Sequence, residues 1–289
     1  MAKPVTNLPA SVRQRLLNHA REQNQPFDVI LVRYGLERLL YRLSISKYRN
    51  RFILKGGVLV TLWIDDAQRV TRDIDFLGHG DDDAEQLKAV FADILSTDAQ
   101  DGLTFDIENL TVEPIREEVE YGGTRLKTTA ALAGARIPIT IDIGFGDAVA
   151  PKADDMTYPS LLNMEDAKIR AYPPATVIAE KFQAMVALGV INGRMKDYFD
   201  LWAIPRSLPI SEDALDAAIE ATFARRNTEI PMDVPPGLSE AFSHSSDKIR
   251  QWEAYSRSID FQGISLEEVT QSIWALVGPS CQRLANRRP

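Results

Sequence analysis

At 289 residues and 45% hydrophobic, the chain is long enough for one large domain or two modest ones, each with its own core. A single cysteine, Cys281, excludes an internal disulfide, and the three histidines (His19, His79, His244) are not spaced around it as zinc ligands, so a soluble, cytoplasmic protein with no leader and no bilayer-spanning segment is predicted. The formal net charge of −8 argues against a general nucleic-acid binder, because affinity for phosphate backbones comes mostly from Lys and Arg.

In chain order, Ser11 is the expected cap of a first helix running to about Gln23, and Pro26 opens a second, "PFDVILVRYGLERLLYRLSIS", with apolar residues at helical spacing. Between Asp28 and Lys55 seven basic residues (Arg33, Arg38, Arg42, Lys47, Arg49, Arg51, Lys55) stand against two acidic ones, while Asp65 to Glu120 is acidic. That asymmetry predicts a basic outer helix face beside an acidic cleft, an arrangement that suits an enzyme holding a polyanion. A short strand over 52–54 meets Gly56-Gly57. The following "VLVTLWI" fits a buried helix or a strand equally well, since periodicity cannot separate them.

"RDIDFLG" alternates in period two, which places Asp73 and Asp75 on one face and Ile74 and Phe76 on the other. "DDDAEQLKAVFADILS" has an acidic first turn and reads as a helix. Strand-like runs follow: "LTFDIENLTVEPI", "TRLKTTAAL", a turn at Ala133-Gly134-Ala135, and "RIPITIDIGFGD", in which Asp142 faces away from Ile139, Ile141 and Ile143. Beyond Pro151 the chain reads as mostly helical. "PPATVIAEKFQAMVALG" starts on prolines and ends on Gly189, "NGRMKDYFDLWAI" and "SEDALDAAIEATFARR" continue in helical register, and after the break at "IPMDVPPG" come "LSEAFSHSSDKIRQWEAYSR" and "SLEEVTQSIWALV". The closing "RLANRRP" reads as a frayed basic tail.

The chemistry concentrates in a glycine pair, a fifteen-residue gap and Asp73-x-Asp75, with Asp142 on a later strand. Two carboxylates at i and i+2 converge on one side of a strand, where they can bind one or two Mg²⁺ ions, and a third from a neighbouring strand can complete the set or accept a proton. Glycines ahead of them let backbone N–H groups approach triphosphate oxygens. Taken singly, a D-x-D is most often a solvated strand edge. Here the apolar Ile74 and Phe76 tie the aspartates to a core strand.

"LKGG" followed by "RVTRDIDFLG" resembles the glycine and D-x-D signature of the polymerase β-like nucleotidyltransferase superfamily. Within it, "ITIDIGFGDAVAP", "YPPATVIAEKFQAMVALG" and "NGRMKDYFDLW" resemble further motifs of the AbiEii/AbiGii toxins, relatives of the mycobacterial MenT toxins; four motifs fall in order between Lys55 and Trp202. The resemblance implies an α/β (α+β) fold with an N-terminal mixed-sheet nucleotidyltransferase lobe, residues 1–155, and a mainly helical lobe, 156–289, closing the cleft. It implies that Lys55, Gly56, Gly57, Thr71 and Arg72 line the nucleotide and that Asp73, Asp75 and Asp142 hold two Mg²⁺ ions. Lys181 would reach the nucleotide phosphates, with Asp197, or Asp200 one turn on, orienting it or the substrate. Function follows in the same terms: an NTP-dependent toxin of a type IV toxin–antitoxin or abortive-infection pair, transferring NMP to RNA, with the tRNA 3′ end as acceptor and a separate winged-helix antitoxin as partner. Where the superfamily pairs glycine with serine this chain has Gly57, which removes a hydroxyl contact to phosphate. Thr71 stands where some relatives carry a modifiable serine.

Two other functions fit the same residues: a nucleotidyltransferase acting on a small molecule or a protein, and a non-catalytic nucleotide- or RNA-binding regulator. "LKGGVLV" lacks the lysine-serine/threonine end of a P-loop, and no G-x-S-x-G elbow occurs.

Overall fold

In a computed structural model that describes residues 7–64, 69–115, 123–261 and 263–287, Asn7 rather than Ser11 caps the first helix. Its side-chain oxygen accepts the Ala10 N–H at 3.1 Å, and a proline in the first turn fits the unpaired N–H positions there. The elements in chain order are α1 (Leu8–Glu22), α2 (Phe27–Ile45), β1 (Phe52–Lys55), α3 (Gly57–Ile64), β2 (Asp73–Gly78), α4 (Ala84–Ser96), β3 (Thr104–Phe105), β4 (Thr111–Ile115), β5 (Gly123–Leu132), β6 (Ala135–Phe145), β7 (Asp154–Tyr158), β8 (Ala167–Ala171), α5 (Pro174–Leu188), α6 (Met195–Ser207), α7 (Glu212–Arg225), α8 (Glu240–Ser243), α9 (Ser246–Ser258) and α10 (Leu266–Asn286). The ambiguous "VLVTLWI" is therefore helical. Both ends of the acidic stretch, 65–68 and 116–120, lie outside the described residues.

The fold is α/β with a mixed sheet, and the described residues cluster into two units. The first lies within Met1–Leu59, Val70–Gly146 and Asp154–Ala171 and holds the whole sheet, in the order β3-β5-β6-β2-β1-β8-β7 with β4 on β5. β2 runs parallel to β6 and β1 parallel to β8; the other pairings are antiparallel. β7 and β8 belong to a stretch that the sequence suggested was helical. They are five residues each, and β8 meets β1 far away in the chain, so no hairpin turn announces the pairing.

Ile74 and Phe76 are fully buried, and Phe76 joins Phe52 and Phe91 in an aromatic cluster with ring centroids 5.0 to 6.3 Å apart. That cluster ties β2 to β1 and α4. α2 lies against the sheet at Gly35, where an added Cβ would stand 2.8 Å from Ile139 Cδ1, so a larger residue would require the Ile139 side chain to move.

The expected basic outer face of α2 is not what forms. Arg38 and Arg42 are 1% and 2% exposed and converge on Asp101, which is equally buried. Arg42 Nη2 donates to Asp101 Oδ1 at 3.0 Å, Arg38 Nε to Oδ2 at 3.2 Å, and both arginines also donate to backbone carbonyls, at Thr97 and Glu165. Arg49 pairs with Asp155, Lys47 with Asp93, and Arg51 bonds the carbonyl of His79. A basic run read as a polyanion surface thus spends much of its charge inside its own unit.

The second unit lies within Val60–Arg69, Asp147–Ala153 and Tyr172–Pro289 and is mainly helical. By length and composition alone Pro174–Ile191 could cross a bilayer, although Glu180, Lys181 and Gln183 interrupt its apolar run, so it is not the uninterrupted segment that the sequence lacks. Its Val177, Ile178, Phe182 and Met185 are buried, and Phe182 packs on Phe223 of α7 at 5.4 Å. It also carries Gln183, bonded to Thr228 at 2.8 Å, and two ion-paired side chains, Glu180 and Lys181, as a core helix does. α10 opens on a capping box of Ser265 and Glu268 and continues to Asn286, so most of "RLANRRP" is helical rather than frayed. Arg283 holds Asp216 through two bonds of 2.8 and 2.9 Å; 288 and 289 lie outside the described residues.

Candidate active site

β1, β2 and β6 lie side by side, and their register places Lys55 opposite Asp75, Asp75 beside Asp142 and Asp73 beside Thr140. Alternation then puts Asp73, Asp75 and Asp142 on the same face of the sheet, with Ile74, Phe76, Ile141 and Ile143 in the core beneath. Gly56 makes the turn from β1 into α3 at φ +70°, and a Cβ there would lie 2.0 Å from Asp75 Oδ2. Glycine is needed at 56 twice over, for the left-handed backbone and for the carboxylate seated against it. Gly57, the first residue of α3, donates its N–H to Asp75 Oδ2 at 3.4 Å. A helix N-terminus thus sits beside the carboxylate face, a geometry that favours anions.

Each carboxylate has its own partner. Thr71 Oγ1 donates to Asp73 Oδ1 at 2.8 Å; Asp75 rests on the glycine turn; Asp142 receives both arms of Arg125, Nε to Oδ1 at 2.7 Å and Nη2 to Oδ2 at 2.6 Å. Arg72 turns to Asp28 at 3.0 Å on the surface. Burial, then repulsion from Asp73 and Asp142, pushes the Asp75 carboxyl up to about 6, with Lys55 and the Gly57 amide opposing the shift. Three hard oxygen donors on one face, crowded enough to raise a proton affinity, are the donor chemistry of a magnesium site, and Arg125 already stands there as a cation. The three do not yet converge. Among the described residues, ligand atoms within 4.8 Å of one another occur in a different trio, Glu240, His244 and Glu267 of the helical unit.

Lys181, Asp197 and Asp200 all lie in the second unit, where they form one buried cluster. Lys181 Nζ pairs with Asp197 and, at 2.9 Å, with Asp200; Arg69 grips Asp200 through Nε at 2.8 Å and Nη2 at 2.6 Å; Arg194 reaches Asp197 at 2.8 Å. Burial disfavours the Lys181 ammonium, but Asp197 and Asp200 outweigh it and hold the group above the usual lysine range. Asp200 is depressed in turn: burial opposes ionisation, and Lys181 and Arg69 overcome it. Both aspartates of α6 therefore serve the same lysine, as their spacing of three residues allows.

Two residues escaped the sequence reading. Arg125 was legible in principle: the two-residue turn at Ala133 and Gly134, both with positive φ, sets the β5–β6 register and so puts Arg125 opposite Asp142. Arg69 offered no signal, since its partner lies 131 residues away.

The family model of the nucleotidyl transferase AbiEii toxin, a type IV toxin–antitoxin component, matches residues 38–276. The chain belongs to the AbiEii family. AbiEii membership makes it a nucleotidyltransferase-family toxin and implies a nucleotide substrate and an antitoxin partner. Among solved structures it is similar to a candidate nucleotidyltransferase from H. pylori, at 14% identity and a TM-score of 0.47, over 96% of this chain and 99% of that one. JHP933 from Helicobacter pylori is similar at 14% identity and a TM-score of 0.46, over 95% of each chain. No curated protein matches.

Proposed function

We propose that this AbiEii-family protein is a magnesium- and NTP-dependent nucleotidyltransferase (EC 2.7.7 type) that moves NMP to an RNA hydroxyl, with the tRNA 3′ end as acceptor. The observation that carries the reading is the in-register placement of Asp73, Asp75 and Asp142 on one sheet face beside the Gly56-Gly57 turn. Those carboxylates would hold the metal, and bound magnesium would supply charge neutralisation of the triphosphate and activation of the acceptor oxygen. The amides that open α3 offer donors for phosphate oxygens, with Lys55 as a neighbouring cation and Thr71 and Arg72 flanking the aspartates. The acceptor oxygen bonds to the α-phosphorus, the bond to the β-phosphate oxygen breaks, pyrophosphate leaves, and the acceptor proton passes to a carboxylate, for which Asp142 is the candidate. A role for Lys181 toward phosphate, oriented by Asp197 and Asp200, rests on the family resemblance.

RNA as acceptor rests on that resemblance too, because Arg38 and Arg42 are buried. The same holds for a cytoplasmic setting, an abortive-infection role in phage defence, a winged-helix antitoxin and the two-lobe division at residue 155. The test is incubation of the protein with total RNA, Mg²⁺ and each α-labelled NTP in turn, with Asp75→Ala as control. Labelled RNA that disappears in the control is expected. No labelled product with any of the four nucleotides would refute the reading, and label on a protein or small hydroxyl compound would reassign the acceptor.

A further inference from the structure

Arg125 lies directly across from Asp142 on the open face of β5 and β6, and it takes both oxygens of the carboxylate that the proposed function gives to a metal. The two demands compete while both bonds stand. Arg125 occupies one lone pair on each oxygen, at 2.7 and 2.6 Å, and its positive charge opposes a second cation approaching the lone pairs that remain. The pair is bidentate and half-buried, Arg125 being 35% and Asp142 14% exposed, so it also adds to the stability of the hairpin. The neighbouring acid on β4, Glu113, is also in register with Arg125 but is engaged by Lys127. A guanidinium leaving Asp142 therefore meets a neighbouring carboxylate that already has a cation.

We propose that Arg125 is a resident counter-cation of the site, which covers Asp142 in the metal-free protein and exchanges it for the phosphate oxygens of the incoming nucleotide when a divalent cation takes the carboxylate. The exchange conserves charge pairing. Before it, one guanidinium neutralises one carboxylate; after it, the cation neutralises the carboxylates and the planar fork of Arg125 meets a polyphosphate, the other group to which its donor geometry is matched. Metal and phosphate then bind cooperatively, since each relieves a charge that the other would leave unpaired. Arg125 is on this view a phosphate-binding residue that also restrains metal binding in the absence of substrate. The inference rests on the metal-site reading of Asp73, Asp75 and Asp142.

The test uses the full chain and two probes, Mn²⁺ alone followed by electron paramagnetic resonance, and tripolyphosphate added to Mn²⁺-saturated protein and followed by calorimetry. Arg125→Ala is expected to tighten Mn²⁺ binding roughly three- to tenfold and to weaken tripolyphosphate binding by at least about tenfold. Opposite signs for the two ligands are the diagnostic, because a damaged fold would weaken both. Arg125→Lys keeps the cation but not the fork, should shift both constants in the same directions by less, and serves alone if the alanine variant does not fold. Mn²⁺ affinity that is unchanged or weaker in both variants, while Asp75→Ala still abolishes it, overturns the exchange and leaves the metal site standing. Wild-type protein that binds no Mn²⁺ sensitive to Asp75→Ala overturns the metal site and the exchange together.

Discussion

Asp75→Asn should make the metal-free protein more stable, not less. Asp75 is held with its carboxyl raised from the ordinary 3.8 to about 6, first by burial and then by Asp73 and Asp142. A raised acid binds its proton more tightly in the fold than in the unfolded chain, so its contribution is intact below pH about 4 and is lost as pH climbs through 6. At about 1.4 kcal/mol for each tenfold change in proton affinity, the ionised carboxylate costs the fold roughly 3 kcal/mol at neutral pH and about half of that near pH 5. Asparagine has nearly the same shape, can still accept the Gly57 N–H and carries no charge. Urea denaturation in the presence of a chelator at pH 7.5 and pH 5 should therefore show the variant ahead at both, with the gap shrinking at the lower pH. Adding Mg²⁺ should raise the wild-type midpoint and leave the variant's unmoved. A variant equal to or less stable than wild type at pH 7.5 in chelator would refute the claim that the three aspartates are packed against their own repulsion.

Three further outcomes follow from the same structure. Phe76→Ala, which removes one ring of the Phe52–Phe76–Phe91 cluster, should cost about 3–5 kcal/mol by chemical denaturation and loosen β2, with loss of activity larger than the fraction unfolded explains. Asp101→Ala leaves Arg42 buried without its anion and Arg38 with Glu37 alone, at 3.5 Å, and should cost about 3–5 kcal/mol at neutral pH. Asp101 itself sits below the usual carboxylate range, burial being outweighed by Arg42 and Arg38, so its contribution is present above pH about 4 and falls away as acid protonates it; wild type and variant should converge in an acid titration monitored by circular dichroism. Gly56→Ala forces a side chain into left-handed backbone and into Asp75, and should lower stability by at least about 1 kcal/mol and remove Mg²⁺-dependent stabilisation, while Gly80→Ala, also at positive φ but with open space around it, should bear only the backbone cost.

Local pattern carried much of this protein. Period-two alternation in "RDIDFLG" and "ITIDIGF" placed the three aspartates on strand faces, because side chains alternate whatever the strand pairs with. Proline at the start and glycine at the end bounded α5, since those residues answer to local hydrogen bonding and backbone freedom. Four motifs in order were enough to point to the family, which the match over residues 38–276 then showed. What the chain could not announce were the pairings between distant segments. β8 beside β1, Arg69 on Asp200, and Arg38 with Arg42 on Asp101 each join residues tens to more than a hundred positions apart. A run of arginines reads as a basic surface until a buried acid is found to face it, and no periodicity encodes which acid that will be. Arg125 on Asp142 stands between the two cases, since a local hairpin turn sets that register, whereas Arg69 on Asp200 has no such turn: sequence states what a side chain can do, and the tertiary structure decides which distant neighbour has already engaged it.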